Sequence, residues 1–90
     1  MDELKRLVES VKLPITLPES AFILLGKRRI PDLNYIMQQY LSPLLAHLDA
    51  NATAPPGGGP DSYLIPLTDG RYLKIALRDN ELIELALIGS

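Results

Sequence analysis

The stretch from Tyr63 to Ile88 constrains this chain more than any other, because it alternates apolar residues through two turn signals. Thr68-Asp69-Gly70 suits a three-residue hairpin loop with Gly70 in the left-handed position. That loop pairs Leu67 with Arg71, Ile65 with Leu73, and Tyr63 with Ile75. A second three-residue loop, Asp79-Asn80-Glu81, pairs Leu77 with Ile83, Ile75 with Leu85, and Leu73 with Leu87. The two registers agree, and they place Tyr63, Ile65, Leu67, Leu73, Ile75, Leu77, Ile83, Leu85 and Leu87 on one face. A two-residue second turn sets Glu84 opposite Ile75, inside the core, and burying an unpaired carboxylate is costly. Pro66 belongs on an edge strand, where its missing N–H faces outward.

A sheet with one apolar face needs a cover, and the N-terminal half reads as helical. Leu4, Leu7, Val8 and Val11 recur at helical spacing over 2–12, with Asp2 as N-cap and Pro14 as a stop. Thr16-Leu17-Pro18-Glu19 matches a capping box, and Gly26 suits a helix C′ position. These caps favour a short helix over 17–25, although the run Ala21–Leu25 also fits a buried strand. Leu33, Ile36, Met37, Tyr40, Leu41, Leu44, Leu45 and Leu48 form a stripe over 32–48. Pro43 predicts a kink there or two consecutive helices, 32–41 and 43–49. Residues 50–61 are rich in Pro and Gly and read as a flexible loop. The expectation is a single α+β domain over 1–90. Three to four short N-terminal helices pack on a C-terminal three-stranded antiparallel β-meander.

Composition removes several function classes. The chain has 90 residues, no cysteine and one histidine. A thiolate metal site, a disulfide scaffold and a cysteine nucleophile are excluded. His47 falls in the last turn of its helix, with Ser42 and Asp49 near it in sequence, a spacing that matches no nucleophile arrangement. Gly57-Gly58-Gly59 lacks the residues that make a phosphate loop. No enzyme activity, cofactor, metal or small-molecule substrate is expected. The longest apolar run, Ala21–Leu25, falls far short of the ~20 residues that span a bilayer. No secretory signal opens the chain. A cytoplasmic protein without a membrane partner is expected.

Two surfaces remain as candidates. The outer face of the meander carries Leu64, Pro66, Tyr72, Lys74, Ala76, Arg78, Leu82, Glu84, Ala86 and Ile88. It is more apolar than a solvated face requires, and the edge of strand 82–88 has no proline to blunt it. Leu64, Tyr72, Ala76, Leu82, Ala86 and Ile88 are therefore the expected contacts for another protein or a second copy. The other surface is Lys27-Arg28-Arg29, a basic turn before the long helix, whose polar face carries Asn34 and Gln38. Cations hold phosphates, and Asn and Gln suit adenine edges. The order helix, helix, turn, helix, β-hairpin resembles a winged helix, which implies nucleic-acid binding. Charge opposes that reading. Residues 1–48 have 6 cations and 5 anions, whereas 49–90 have 3 and 6, and an acidic wing does not neutralise phosphates. An accessory or regulatory protein-interaction module is the leading expectation, with a nucleic-acid-binding regulator as the alternative.

Overall fold

Both α-helices begin where an aspartate can accept from backbone N–H groups that lack helical partners. The computed structural model describes residues 2–51 and 61–89, and the expected loop at 50–61 falls mostly outside them. Helix α1 spans Glu3–Ser10 and α2 spans Leu33–Tyr40. The Asp2 carboxylate accepts from Lys5 N at 3.2 Å, and the Asp32 carboxylate from Tyr35 N at 3.1 Å. Leu4 and Val8 of α1, and Ile36 and Met37 of α2, are buried. At Leu41 φ is −126°, which ends α2. Pro43 then opens a 3₁₀ segment, Ser42–His47, that buries Leu44. Of the two readings of 32–48, consecutive helices rather than a kinked one are formed.

Residues 17–25 are not a helix. Glu19–Ala21 makes one 3₁₀ turn, and Phe22–Leu25 is a strand, β2, paired antiparallel with β3, Arg28–Pro31. Tertiary partners take the residues that suggested a cap. Thr16 lies in the short strand β1, Ile15–Thr16, and pairs with Glu81. Leu17 N donates to the Asn80 carbonyl at 2.7 Å. The Glu19 carboxylate accepts from Arg29 Nε and Nη2 at 2.9 and 3.0 Å. Gly26, with φ of +63°, is the first of two loop positions between β2 and β3. There a positive φ matches the twist of the hairpin.

The remaining strands are β4, Ser62–Pro66, β5, Tyr72–Arg78, and β6, Glu81–Ile88. With β1 they form a four-stranded antiparallel sheet in the order β1-β6-β5-β4. The fold is α+β, but it is not a helical half on a three-stranded meander. It adds a fourth strand and a separate two-stranded hairpin. The first hairpin has the expected register: Ile65 faces Leu73, Tyr63 faces Ile75, and Leu67 N donates to Arg71 O. Gly70 has φ of +91°.

The second hairpin departs from the expected register in one place. Arg78 pairs with Glu81, so the loop is the two residues Asp79 and Asn80. Asp79, with φ of +54°, is a residue type that tolerates the left-handed region. A β-bulge opposite Ala76/Leu77 then inserts one extra residue into β6. Leu77 therefore faces Leu82, while Ile75 still faces Leu85 and Leu73 still faces Leu87. The tight turn and the exclusion of Glu84 from the core are both satisfied. Leu82 is the residue that turns inward, with no exposed surface, and Ile83 is half-buried and outside the core.

The helices cover one face of the sheet. Leu4, Val8, Ile36, Met37, Leu41 and Leu44 are buried in one cluster with Leu67, Leu73, Ile75, Leu77 and Leu82. Leu17 and Ala21 close it from the connecting segment. Among the described residues no polar or charged side chain is buried. The bulge has a direct test. Leu82→Ala is expected to destabilise the fold by about 2–5 kcal/mol, the range for emptying a closed core site. Ile83→Ala is expected to have a clearly smaller effect. Urea denaturation of both variants measures this, and the reverse ranking would indicate an unbulged strand.

Candidate docking surfaces

Alternation along the strands sends every second side chain away from the helices. The outer face so formed carries Ser62, Leu64 and Pro66 from β4, Tyr72, Lys74, Ala76 and Arg78 from β5, and Glu81, Glu84, Ala86 and Ile88 from β6. Lys74 and Glu84 sit diagonally across β5 and β6 and form an ion pair of 3.1 Å. Ile88 is 39% exposed, and the other apolar groups there are half-buried. Of the expected contacts, Leu64, Tyr72, Ala76, Ala86 and Ile88 share this face. Leu82 does not, because the bulge turns it into the core. Ile83, expected in the core, is the residue this reading missed. The sequence signal for it is a two-residue turn compatible with Asp79, followed by a single inserted residue.

The expected open edge of β6 also needs correction. Ile15 pairs with Leu82 and Thr16 with Glu81, so β1 occupies the start of that edge. Further along, α1 flanks β6 across a cleft of about 350 Å³, whose lining includes Lys5, Val8 and Glu9 of α1 and Leu85, Ala86 and Leu87 of β6. At the other edge of the sheet, the Pro66 carbonyl accepts from Asp49 N at 3.0 Å.

The basic residues lie on the β2–β3 hairpin, not on a turn between helices. The helix–turn–helix that a winged helix needs is therefore absent. Lys27 is in the hairpin loop, and Arg28 and Arg29 begin β3. Arg29 is engaged within the fold: its guanidinium sits 3.7 Å from the centre of the Phe22 ring and pairs with Glu19. Burial first, then the charge of Asp61, pushes the Tyr63 phenol up, and the positive charge of Arg28 opposes that shift. Asn34 and Gln38 are exposed on α2. Unexpectedly, Ile23, Leu24 and Leu25 of β2 are exposed as well. The sequence signal for this was the strand alternative for Ala21–Leu25, combined with three cations directly after it.

His47 is half-buried at the end of its 3₁₀ segment, and its carbonyl accepts from Thr68 N at 2.9 Å. Among the described residues, no three His, Cys, Asp or Glu side chains are grouped to hold a metal ion. No helix among them is long and apolar enough to cross a membrane. Comparison of the chain with family models, curated proteins and solved structures returns no significant match.

One charged cluster ties the helical layer to the sheet. Arg71, just before β5, donates to both oxygens of the Asp2 carboxylate at 2.6 and 3.1 Å. It also donates to Asp69 at 2.8 Å. These hydrogen bonds hold the Asp2 carboxyl down at about 2, helped by Lys5 N, and lower that of Asp69. Both folded values lie below those of the unfolded chain. Their stabilising contribution is complete above the ordinary carboxylate pKa of about 3.9 and is lost as pH falls toward 2. The melting temperature is expected to fall between about pH 5 and pH 2 more steeply for the native chain than for Asp2→Asn. Parallel thermal melts across that range measure the difference, and equal slopes would show that the cluster does not contribute.

Proposed function

We propose that this chain is a small, non-enzymatic, cytoplasmic protein-interaction module that docks through the outer face of its four-stranded sheet. A second copy of the chain is the first candidate partner. The observation that carries the reading is the placement of Leu64, Tyr72, Ala76, Ala86 and Ile88 away from the helical layer. Sheets whose second face is solvated carry polar residues there; this one carries the Lys74–Glu84 ion pair, with Ser62, Arg78 and Glu81 at one end, beside a group of aliphatic and aromatic side chains. Contiguous apolar patches of this kind mark interfaces.

The ion pair favours self-association. A two-fold interface brings the same patch from both copies together, so each patch must complement itself. Lys74 and Glu84 supply one charge of each sign on the same face, so two copies can exchange partners without net repulsion. The nucleic-acid alternative has weaker support. One of its three cations, Arg29, is committed to Glu19 and Phe22, and its helical framework is absent.

The test is the oligomeric state by sedimentation over a range of concentrations. The native chain is expected to associate. Tyr72→Glu combined with Ala86→Glu is expected to weaken association at least about 100-fold, because the two new carboxylates share one neighbouring cation, Lys74, which Glu84 already engages, and the interface would bury the excess charge. Circular dichroism should be unchanged, since neither residue contributes to the core. A native chain that is monomeric at every concentration, or a variant that associates as the native chain does, would overturn the homodimer.

A further inference from the structure

The β2–β3 hairpin plays no part in the sheet-face reading. Its β2 strand presents Ile23, Leu24 and Leu25 with 45, 72 and 60% of their surface exposed. The register places Leu24 on one face of the ribbon with Phe22 and Arg29, and Ile23 and Leu25 on the other with Arg28 and Ile30. One strand is therefore apolar toward both faces, and its neighbour is basic. Lys27 and Arg28 form no ion pair among the described residues. The tip is thus locally cationic on a chain whose net charge is −2.

We propose that this hairpin is a peripheral membrane anchor. Its β2 strand enters the boundary between headgroups and acyl chains of an anionic bilayer, while Lys27 and Arg28 contact lipid phosphates. Three features favour this occupant. Leu24 and Leu25 project to opposite faces, so a protein groove would have to enclose the ribbon from both sides, whereas a bilayer surrounds a tip on its own. Strands in a ribbon lie about 4.8 Å apart. With β2 at the acyl boundary, Lys27 in the loop and Arg28 of β3 reach the phosphate layer, where each cation adds to the affinity. Finally, the competing occupants each leave half of the tip unused. A second copy would set cation against cation, and nucleic-acid phosphates would leave three aliphatic side chains in water.

The open edge of β2 limits the depth. Among the described residues its outward backbone groups have no strand partner, and hydrocarbon penalises unpaired N–H and C=O groups. The anchor is therefore interfacial and reversible, and it needs no spanning segment. This reverses the expectation of no membrane partner, which rested on span length alone.

The test is co-sedimentation of the full chain with phosphatidylcholine vesicles, with and without phosphatidylserine. Binding is expected with phosphatidylserine and to be far weaker without it. Lys27→Gln with Arg28→Gln is expected to weaken it about 25-fold, roughly five-fold per cation. Leu24→Ser with Leu25→Ser is expected to abolish it with every cation retained. The chain has no tryptophan, so Leu25→Trp adds a single reporter whose emission should shift to the blue on anionic vesicles. The Tyr72→Glu, Ala86→Glu variant should bind vesicles as the native chain does, and that outcome separates this proposal from the sheet-face one. Several results would overturn the anchor: no pelleting, equal binding to neutral vesicles, binding that survives the serine substitutions, an unshifted emission from the Leu25→Trp reporter, or loss of binding in the sheet-face variant. So would lipid-free association that the hairpin substitutions abolish, or duplex DNA binding that the serine variant retains.

Discussion

Ile83 is one residue more than the strand opposite can pair, and the arrangement of the core depends on it. The two-residue loop at Asp79-Asn80 carried straight along β6 would set Glu84 against Ile75. Ile75 is fully buried, so a carboxylate there would have to lose its charge or find a cation. The bulge absorbs one position, returns Leu85 and Leu87 to their partners, and turns Leu82 inward. It also sits directly after the two β6 residues that pair with β1. Bulges commonly end strand pairing, which accounts for a β1 of just two residues and for the flanking role of α1 along the rest of that edge.

Once one face of the sheet is committed to the helices, the two layers need a lateral tie, because apolar contact has no direction of its own. Asp2 supplies it. The same carboxylate caps α1 through Lys5 N and accepts two hydrogen bonds from Arg71 at the start of β5. A helix start and a strand start are thus held to one another by a residue that sequence reading assigned to the helix alone. The tie lies at the surface, where ion pairs contribute modestly. Its value is therefore in orientation, and the core cluster supplies the bulk of the stability.

What was legible in the sequence were features decided within a few residues. Asp2 and Asp32 cap their helices because the groups they satisfy lie three residues away. Thr68-Asp69-Gly70 sets the first hairpin because Gly70 alone can meet its loop geometry cheaply. Features decided at a distance were not legible. Thr16 and Glu19 have the chemistry of a capping box, yet Glu81 and Arg29, both remote in sequence, claim them. Ala21–Leu25 is too short for its period to show, and its state was settled by pairing with Arg28–Pro31. On the candidate face, alternation located Leu64, Tyr72, Ala76, Ala86 and Ile88 correctly, and it failed at Leu82, where the bulge breaks the alternation itself.

The same distinction explains why the hairpin is informative. An apolar run is ordinarily read as core, since burying each Leu or Ile side chain gains about 1.5–3 kcal/mol. Net stability for a domain is about 5–15 kcal/mol, so leaving Ile23, Leu24 and Leu25 with 45, 72 and 60% of their surface exposed forgoes about 3–5 kcal/mol, a substantial fraction of it. The neighbouring chain does reach the core: Leu17 and Ala21, immediately before the strand, are buried, and Phe22 is half-buried beneath Arg29. The change from buried to exposed occurs within two residues, at the point where the chain enters the ribbon. Arg29, opposite Leu24, pairs with Glu19 and lies over Phe22, so the ribbon is tied to the segment that precedes it. The apolar strand left in water and the cations that follow it are the two features that an anionic lipid surface would complement.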